Sequence, residues 1–203
     1  MTHQDGLRDA PLTGRCLHLC IDMQNLFAEG SDWHTPWMKR VQPLVEQLVA
    51  AHPDRTIFTR FIPARRPGEG EGTWKGYYQR WSSMTLEALP PDAIELVPPL
   101  ARFAPPAAVI DKTVYSPWLT PDLDNLLKQR GAEALIISGA ETDVCVLATV
   151  LGAVDRGYRV VLPSDGLCSS SDKMHDALLG LYAERYGQQI EVGTVEQILR
   201  HWK

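Results

Sequence analysis

The sequence lacks the features of several large classes of protein. Its 203 residues include 20 Lys and Arg against 25 Asp and Glu, and the net charge of −5 provides no basic surface for nucleic acid. No apolar run approaches the roughly 20 residues that a membrane-spanning helix needs. Residues 1–14 are polar and lack the apolar centre of a signal peptide. We therefore expect a protein that binds neither nucleic acid nor a membrane.

Cysteine is also scarce, and its spacing excludes two common roles. The spacing is neither that of a zinc knuckle nor that of a redox pair separated by two residues. Cys16 and Cys20 share one face of a strand-like segment, but they lie too far apart for a disulfide. We therefore predict a reducing, cytoplasmic compartment. The four cysteines are Cys16, Cys20, Cys145 and Cys168.

Glycine-rich phosphate motifs are missing as well. No Gly-x-Gly-x-x-Gly follows the first apolar segment, and no phosphate-loop lysine motif occurs anywhere in the chain. Nucleotide binding is therefore not favoured. We expect no cofactor.

What the chain does contain is a regular alternation of strand-like and helix-like segments. Such alternation predicts an α/β fold with right-handed crossovers. We expect an N-terminal arm over residues 1–14 and one domain over residues 15–203. That domain is predicted to be a three-layer α/β/α sandwich with a six-stranded, mainly parallel sheet of Rossmann-like topology. The predicted strands are residues 15–21, 55–61, 107–111, 134–137, 159–162 and 190–192. The predicted helices are residues 36–51, 84–89, 121–129, 143–157, 172–186 and 195–202.

The most informative stretch is residues 135–151. A short apolar run is broken by Gly139, and Thr142 then serves as a candidate N-cap for a helix that ends near Gly157. In this interpretation Cys145 lies in the first helical turn, where unpaired N–H groups and the helix dipole lower a thiol pKa. The alternative is a buried, inert cysteine, and this stretch alone favours neither.

Two charged residues are predicted to share the location of Cys145. Asp22 follows the first strand and Lys112 follows the third, and ligands of open α/β sheets bind at the carboxyl ends of strands. Singly, each charge is typical of a turn or a solvated surface. Together the three residues form a nucleophile set, in which Cys145 attacks a carbonyl, Asp22 transfers protons and Lys112 stabilises charge. Backbone N–H groups near Ala140, Glu141 and Cys145 are expected to form an oxyanion hole.

Three segments resemble the isochorismatase-like cysteine hydrolases, a superfamily that includes nicotinamidases, N-carbamoylsarcosine amidases and ureide hydrolases. They are residues 22–27 (DMQNLF), 111–116 (DKTVYS) and 139–146 (GAETDVCV). The resemblance covers about residues 15–200. It implies a six-stranded parallel sheet, a catalytic triad of Asp22, Lys112 and Cys145, and assembly as a homo-oligomer, either a dimer or a tetramer. It also implies a non-proline cis peptide between Ala140 and Glu141.

Two departures from relatives narrow the expected chemistry. Nicotinamidases carry a metal site after the second strand, but this chain has Arg60, Phe61, Ile62 and Pro63 at that position. We therefore predict no catalytic metal, and nicotinamidase activity is not favoured. Isochorismatases proper lack the nucleophilic cysteine. Cys145 therefore predicts hydrolysis of a C–N bond in a small amide or ureide, through a thioester-type acyl-enzyme.

Aromatic and basic residues outside these motifs are the candidates for substrate binding. Arg60 and Arg65 are placed to hold a substrate carboxylate. Residues 62–82 form a long aromatic-rich segment, which we interpret as a lid or a subunit contact. Core packing or a plain surface position is the alternative for each candidate. The predicted substrate-binding residues are Phe27, Arg60, Trp74, Tyr78 and Trp118.

Two other functions are compatible with the same residues. One is a non-catalytic small-molecule binding or scaffold protein on the same fold. The other is a redox sensor, which requires a resolving cysteine such as Cys168. Otherwise Cys168 is interpreted as a packed bystander. His175, near a predicted helix start, is interpreted as structural rather than as the base of a Cys–His pair.

Overall fold

The chain folds around one parallel β-sheet that carries helices on both faces. The computed structural model describes residues 6–8 and 10–203. The strand order is β3-β2-β1-β4-β5-β7, with β6 paired to β4, and every ladder is parallel. This confirms the predicted α/β class and parallel sheet. The strands are β1 (Cys16–Ile21), β2 (Thr56–Phe61), β3 (Ala108–Lys112), β4 (Ala134–Ala140), β5 (Arg159–Pro163), β6 (Leu167–Cys168) and β7 (Ile190–Gly193).

The helices divide between the two faces of the sheet. Buried side chains of α4, α5 and α6 pack on one face, and those of α1 and α7 pack on the other. The predicted helix at residues 84–89 is wrong, because that segment forms turns. The prediction also missed α2, which lies inside the segment read as irregular. The helices are α1 (Met38–Ala51), α2 (Trp74–Arg80), α3 (Pro98–Ala101), α4 (Pro121–Gln129), α5 (Cys145–Asp155), α6 (Asp172–Arg185) and α7 (Val195–His201).

The two central strands explain the uninterrupted apolar segments in the sequence. All residues of β1 and β4 are buried, because helices cover both of their faces. Leu17, Leu19 and Ile21 face the α4–α6 side, whereas Cys16 faces the α1 and α7 side. Side chains of one strand therefore pack alternately against the helices on the two faces of the sheet.

The sheet has a seventh strand that was not predicted. β4 continues through Gly139 to Ala140, rather than ending at Ile137, and there it pairs with the two-residue strand β6. Gly139 has a φ of +110°, and a Cβ at this position would clash with the backbone oxygen of Ile21. Glycine therefore lets β4 run close to β1 instead of breaking the strand.

The described part of the predicted N-terminal arm is packed rather than loose. Leu7 and Leu12 are buried, and Leu12 forms a parallel bridge with Trp202. The rest of the predicted arm, residues 1–5 and 9, lies outside the described residues. None of the helices in the described ranges is long and apolar enough to cross a bilayer.

Trp118 packs under α5, and this contact yields a stability prediction. Its indole N–H donates to the carbonyl of Thr149 at 2.9 Å, and a Cβ on Gly152 would overlap the indole ring. We expect Gly152→Ala to lower the free energy of unfolding by about 1–3 kcal/mol, because the ring must leave its packed position. Urea unfolding followed by circular dichroism measures the change.

The matched control is the same substitution at Gly180, in the exposed part of α6. A Cβ there meets no atom within 4 Å. Gly180→Ala should be neutral or stabilising by up to about 1 kcal/mol, because alanine has the higher helix propensity. Equal effects of the two substitutions would contradict the packing argument.

Candidate active site

Three strand ends bring the predicted nucleophile set together at one edge of the sheet. Asp22 follows β1, Lys112 is the last residue of β3, and Cys145 begins the helix after β4. Because all these strands are parallel, their carboxyl ends meet at the same edge. The three side chains are almost completely buried, with exposed fractions of 0% for Asp22, 1% for Lys112 and 5% for Cys145.

Lys112 lies between the carboxylate and the sulfur. Its Nζ is 2.7 Å from Asp22 Oδ2 and 3.3 Å from Cys145 Sγ, and it also donates to the carbonyl of Val114 at 3.2 Å. Burial is the strongest single influence and lowers the Lys112 pKa, but the charges and hydrogen bonds of Asp22 and Cys145 together outweigh it, so the net pKa is raised. The ring of Phe61 lies 4.9 Å from the ammonium and covers it from the side. Lys112 is therefore held as a cation.

Asp22 is fixed by a residue that the sequence interpretation missed. The hydroxyl of Thr59 donates to Asp22 Oδ1 at 2.6 Å. The Asp22 N–H donates in turn to the hydroxyl and carbonyl oxygens of Thr59, both at 3.2 Å. Asp22 has a φ of +49°, in the left-handed region where aspartate is tolerated. Thr59 pairs with Ile21 across the β1–β2 ladder, so strand register is the signal that could have identified it.

Removing the Thr59 hydroxyl should impair catalysis without unfolding the chain. Thr59→Val keeps the side-chain shape but loses a hydrogen bond to a charged group. Such a bond contributes about 1.5–3 kcal/mol, so we expect kcat to fall about 10–100-fold. Steady-state kinetics on any substrate found for the protein measures it. Thr59→Ser retains the donor and should stay within about threefold of the wild type; an equal loss in both variants would exclude the positioning role.

Cys145 begins α5, and this corrects the predicted cap. The N-cap residue is Val144, not Thr142. The Thr142 hydroxyl donates instead to the carbonyl of Cys168 at 3.1 Å and lies 2.9 Å from His175 Nδ1. Thr142 therefore joins β6 and α6 to the nucleophile turn. His175 is buried beside Thr142, a position that fits the structural role predicted for it.

The expectation that the Cys145 pKa falls is wrong for the resting site. Burial raises the pKa of the Cys145 thiol well above its usual value, and the negative charge of Asp22 acts in the same direction. The cation of Lys112 opposes both but does not outweigh them. The resting sulfur is therefore a neutral thiol, and its proton must leave as the sulfur attacks.

The turn between β4 and α5 presents backbone groups beside the sulfur. The Ala140–Glu141 peptide bond is cis. The Glu141 carbonyl accepts hydrogen bonds from the N–H groups of Val144 and Val146, both at 3.1 Å. Within the described residues, the N–H groups of Glu141 and Cys145 have no backbone acceptor. The expected oxyanion hole at Ala140, Glu141 and Cys145 stays a prediction.

A cavity of about 230 Å³ opens onto Cys145. Its size suits a small molecule. The lining combines aromatic rings with a few polar groups from the loop before α1, from the nucleophile turn and from the segment between β6 and α6. The aromatic residues are Phe27, Trp33, Phe61, Tyr77, Trp81 and Tyr115. The polar residues are Asp32, His34, Glu141 and Ser170.

Only one of the five predicted substrate-binding residues lines this cavity. Phe27 does, whereas Trp74 and Tyr78 lie behind the wall, with the Trp74 ring 4.9 Å from that of Tyr115. Trp118 is packed under α5. Arg60 forms ion pairs with Asp111 and Glu95 at 2.8 and 2.7 Å.

The predicted carboxylate-binding role of the two arginines therefore has no geometric support. Arg60 is held by its ion pairs, and exposed Arg65 pairs with Glu87 at 3.2 Å. Sequence reasoning missed the actual cavity residues Trp33, Tyr77 and Trp81, because α2 and the loop before α1 gave no periodic signal.

Two candidate features of the sequence, a second cysteine near the site and a metal site, were compared with the structure. Cys168 is fully buried, and burial raises the pKa of its thiol. In the described ranges, no three His, Cys, Asp or Glu side chains lie close enough together to hold a metal ion.

Comparisons with known proteins identify relatives of this chain. A cysteine hydrolase from Pseudomonas syringae pv. phaseolicola has a similar structure, with a TM-score of 0.79 and 25% identity over 96% of this chain and 98% of the other. Maleamate amidohydrolase from Pseudomonas putida is 28% identical over 109 residues, 51% of each chain. A protein from Arabidopsis thaliana described as a probable inactive nicotinamidase is 26% identical over 78% of this chain and 83% of its own.

These matches differ in extent. The chain spans between 33% and 56% of the length of most of the curated relatives that it matches. The Isochorismatase domain, in contrast, matches residues 16–195, which include every strand and the whole candidate site. The chain therefore belongs to the isochorismatase domain family.

Proposed function

We propose that the protein is a cysteine-dependent hydrolase of a C–N bond in a small amide or ureide. The observation that carries the proposal is the buried Asp22–Lys112–Cys145 cluster at the base of an aromatic cavity. The similarity to an amidohydrolase and to a cysteine hydrolase supports this chemistry. Several features accompany the proposal: one domain over residues 15–203, a cytoplasmic location, assembly as a homo-oligomer, and no catalytic metal or cofactor.

The first half of the reaction forms an acyl-enzyme. Cys145 Sγ attacks the substrate carbonyl carbon, and the thiol proton passes to Asp22. The attack produces a tetrahedral intermediate. Asp22 then gives that proton to the nitrogen of the leaving group. The C–N bond breaks, ammonia or an amine departs, and a thioester to Cys145 remains.

The second half releases the acid. Water attacks the thioester carbonyl and gives one proton to Asp22. The C–S bond then breaks, and the sulfur regains the proton from Asp22. The products are a carboxylic acid, or a carbamic acid from a ureide, and the resting enzyme.

Lys112 and the nucleophile turn stabilise the charge that develops in both halves. As the thiol proton moves to Asp22, the negative charge moves to sulfur, and Lys112 Nζ lies within reach of both atoms. The N–H groups of Glu141 and Cys145 are the donors we assign to the oxyanion of the tetrahedral intermediate. The buried setting strengthens these interactions because little water screens them.

The test is a screen of small amides and ureides for ammonia release, followed by acid quenching and mass spectrometry of the protein. We expect turnover of at least one compound, an acyl adduct on the peptide that contains Cys145, and full activity after treatment with EDTA. Substrate binding without any adduct or ammonia would support the non-catalytic binding function instead. Loss of activity in EDTA would contradict the metal-independent mechanism.

A further inference from the structure

The cavity above Cys145 has a one-sided distribution of charge. Its lining includes the carboxylates Asp32 and Glu141, one histidine, and neither lysine nor arginine. Neither carboxylate takes part in an ion pair among the described residues, whereas the buried charge of Lys112 is neutralised by Asp22. The space that a substrate enters is therefore negative.

The aromatic lining is arranged around Trp33. The Phe27 ring is stacked on it at 6.2 Å, and the Trp81 and Phe61 rings meet it edge-on at 6.3 and 5.9 Å. The Tyr77 ring is 5.8 Å away. These rings also line the cavity, and aromatic faces attract ammonium and alkylammonium groups.

The two carboxylates lie on separate elements. Glu141 belongs to the nucleophile turn, and its Oε1 accepts a hydrogen bond from the Ser170 N–H at 2.8 Å. Asp32 is exposed, in the loop before α1, next to Trp33 in sequence. Asp32, the aromatic rings and Cys145 line the same cavity, so we take the remote end of a substrate bound at Cys145 to lie among the rings and near Asp32.

We infer that the cavity selects a small amide or ureide whose remote end is positively charged, and discriminates against one whose remote end is a carboxylate. This inference rests on the proposed function and adds the class of substrate. The rings bind the cation, and Asp32 and Glu141 supply the negative field. A carboxylate in the same place would meet two like charges without a basic partner.

Three primary amides of similar length test the inference: γ-aminobutyramide, which is cationic, valeramide, which is neutral, and succinamate, which is anionic. Binding to Cys145→Ala is measured by quenching of tryptophan fluorescence, since Trp33 and Trp81 line the cavity. Ammonia release is measured on the wild type. We expect the cationic amide to bind roughly tenfold more tightly than the anionic one, with a smaller difference at high salt.

Asp32→Asn shows whether the cavity charge causes the preference. It should reduce the ratio of cationic to anionic affinity by about two- to fivefold, as expected for one exposed charge. The matched control is Asp54→Asn, which removes an exposed carboxylate just before β2, at the opposite edge of the sheet. This control should leave the ratio unchanged.

The outcomes separate the inference from the proposed function. Tightest binding of succinamate, or equal binding of all three amides, would overturn the inference even if amides are hydrolysed. A charge preference in binding without ammonia release would support the inference and count against the hydrolase mechanism. An equal change of ratio in Asp32→Asn and Asp54→Asn would also overturn it.

Discussion

Cys145→Ala should reduce ammonia release by about four orders of magnitude or more, because none of the other described cysteines lines the cavity. The side chain is small, and its removal leaves the Asp22–Lys112 ion pair in place. We therefore expect a folded protein with an unchanged circular dichroism spectrum and no acyl adduct. Substrate affinity, measured by tryptophan fluorescence, should change only a few-fold, since the cavity walls remain.

Cys16→Ala is the matched control for this loss. Cys16 is equally buried, but it begins β1 at the edge of the sheet opposite the site. The control should keep its activity within about twofold of the wild type, with a modest loss of stability from the small cavity created. Activity above about a tenth of the wild type in Cys145→Ala would refute the nucleophile assignment.

Breaking the buried ion pair should affect stability as well as activity. Asp22→Asn leaves the Lys112 ammonium without a counter-charge, and Lys112→Met leaves the carboxylate buried alone. Each change should lower the free energy of unfolding by about 3–5 kcal/mol. The double variant should lose less than the sum, because neither uncompensated charge remains. Urea denaturation of the wild type, the two single variants and the double variant measures these changes as a double-mutant cycle.

Activity adds a second criterion to the same cycle. All three variants should lose at least about a thousandfold in kcat, because Asp22 carries the proton and Lys112 stabilises the thiolate. Glu196→Gln is the control for stability. It breaks an exposed pair with Arg200 on α7, where a cost below about 1 kcal/mol is expected. Additive losses at Asp22 and Lys112 would mean that the two charges are not coupled.

The residues of the nucleophile set were predictable because topology alone brings them together. Asp22, Lys112 and Cys145 each follow an apolar segment, and parallel strands deliver their carboxyl ends to one edge. Their bonding partners were less accessible. Thr59 reaches Asp22 only through the register of β1 against β2, and register depends on packing along the whole sheet.

Local rules failed where tertiary contacts override them. Thr142 has the sequence pattern of a helix cap, but its hydroxyl bonds to β6 and lies beside His175 of α6, two elements that come later in the chain. The helix therefore begins at Cys145. The thiol pKa was likewise predicted from the helix terminus alone, whereas complete burial and the charge of Asp22 decide its direction.

The residues that line the cavity were also hard to predict from local sequence. Aromatic residues between positions 62 and 82 were recognised as unusual, but only Tyr77 and Trp81 line the cavity, while Trp74 and Tyr78 pack behind it. Which face of a short helix turns inward depends on the loop that packs against it, here the loop with Trp33.

The order of the strands has a consequence for how the chain reaches this state. β1, β2 and β3 are neighbours in sequence and in space, but the central ladder joins β1 to β4 and pairs Cys16 with Ala134. Closing such a distant contact is slow. During synthesis, the apolar edge of β1 must therefore wait unpaired until β4 has left the ribosome. Until then, that edge is an unpaired template for aggregation.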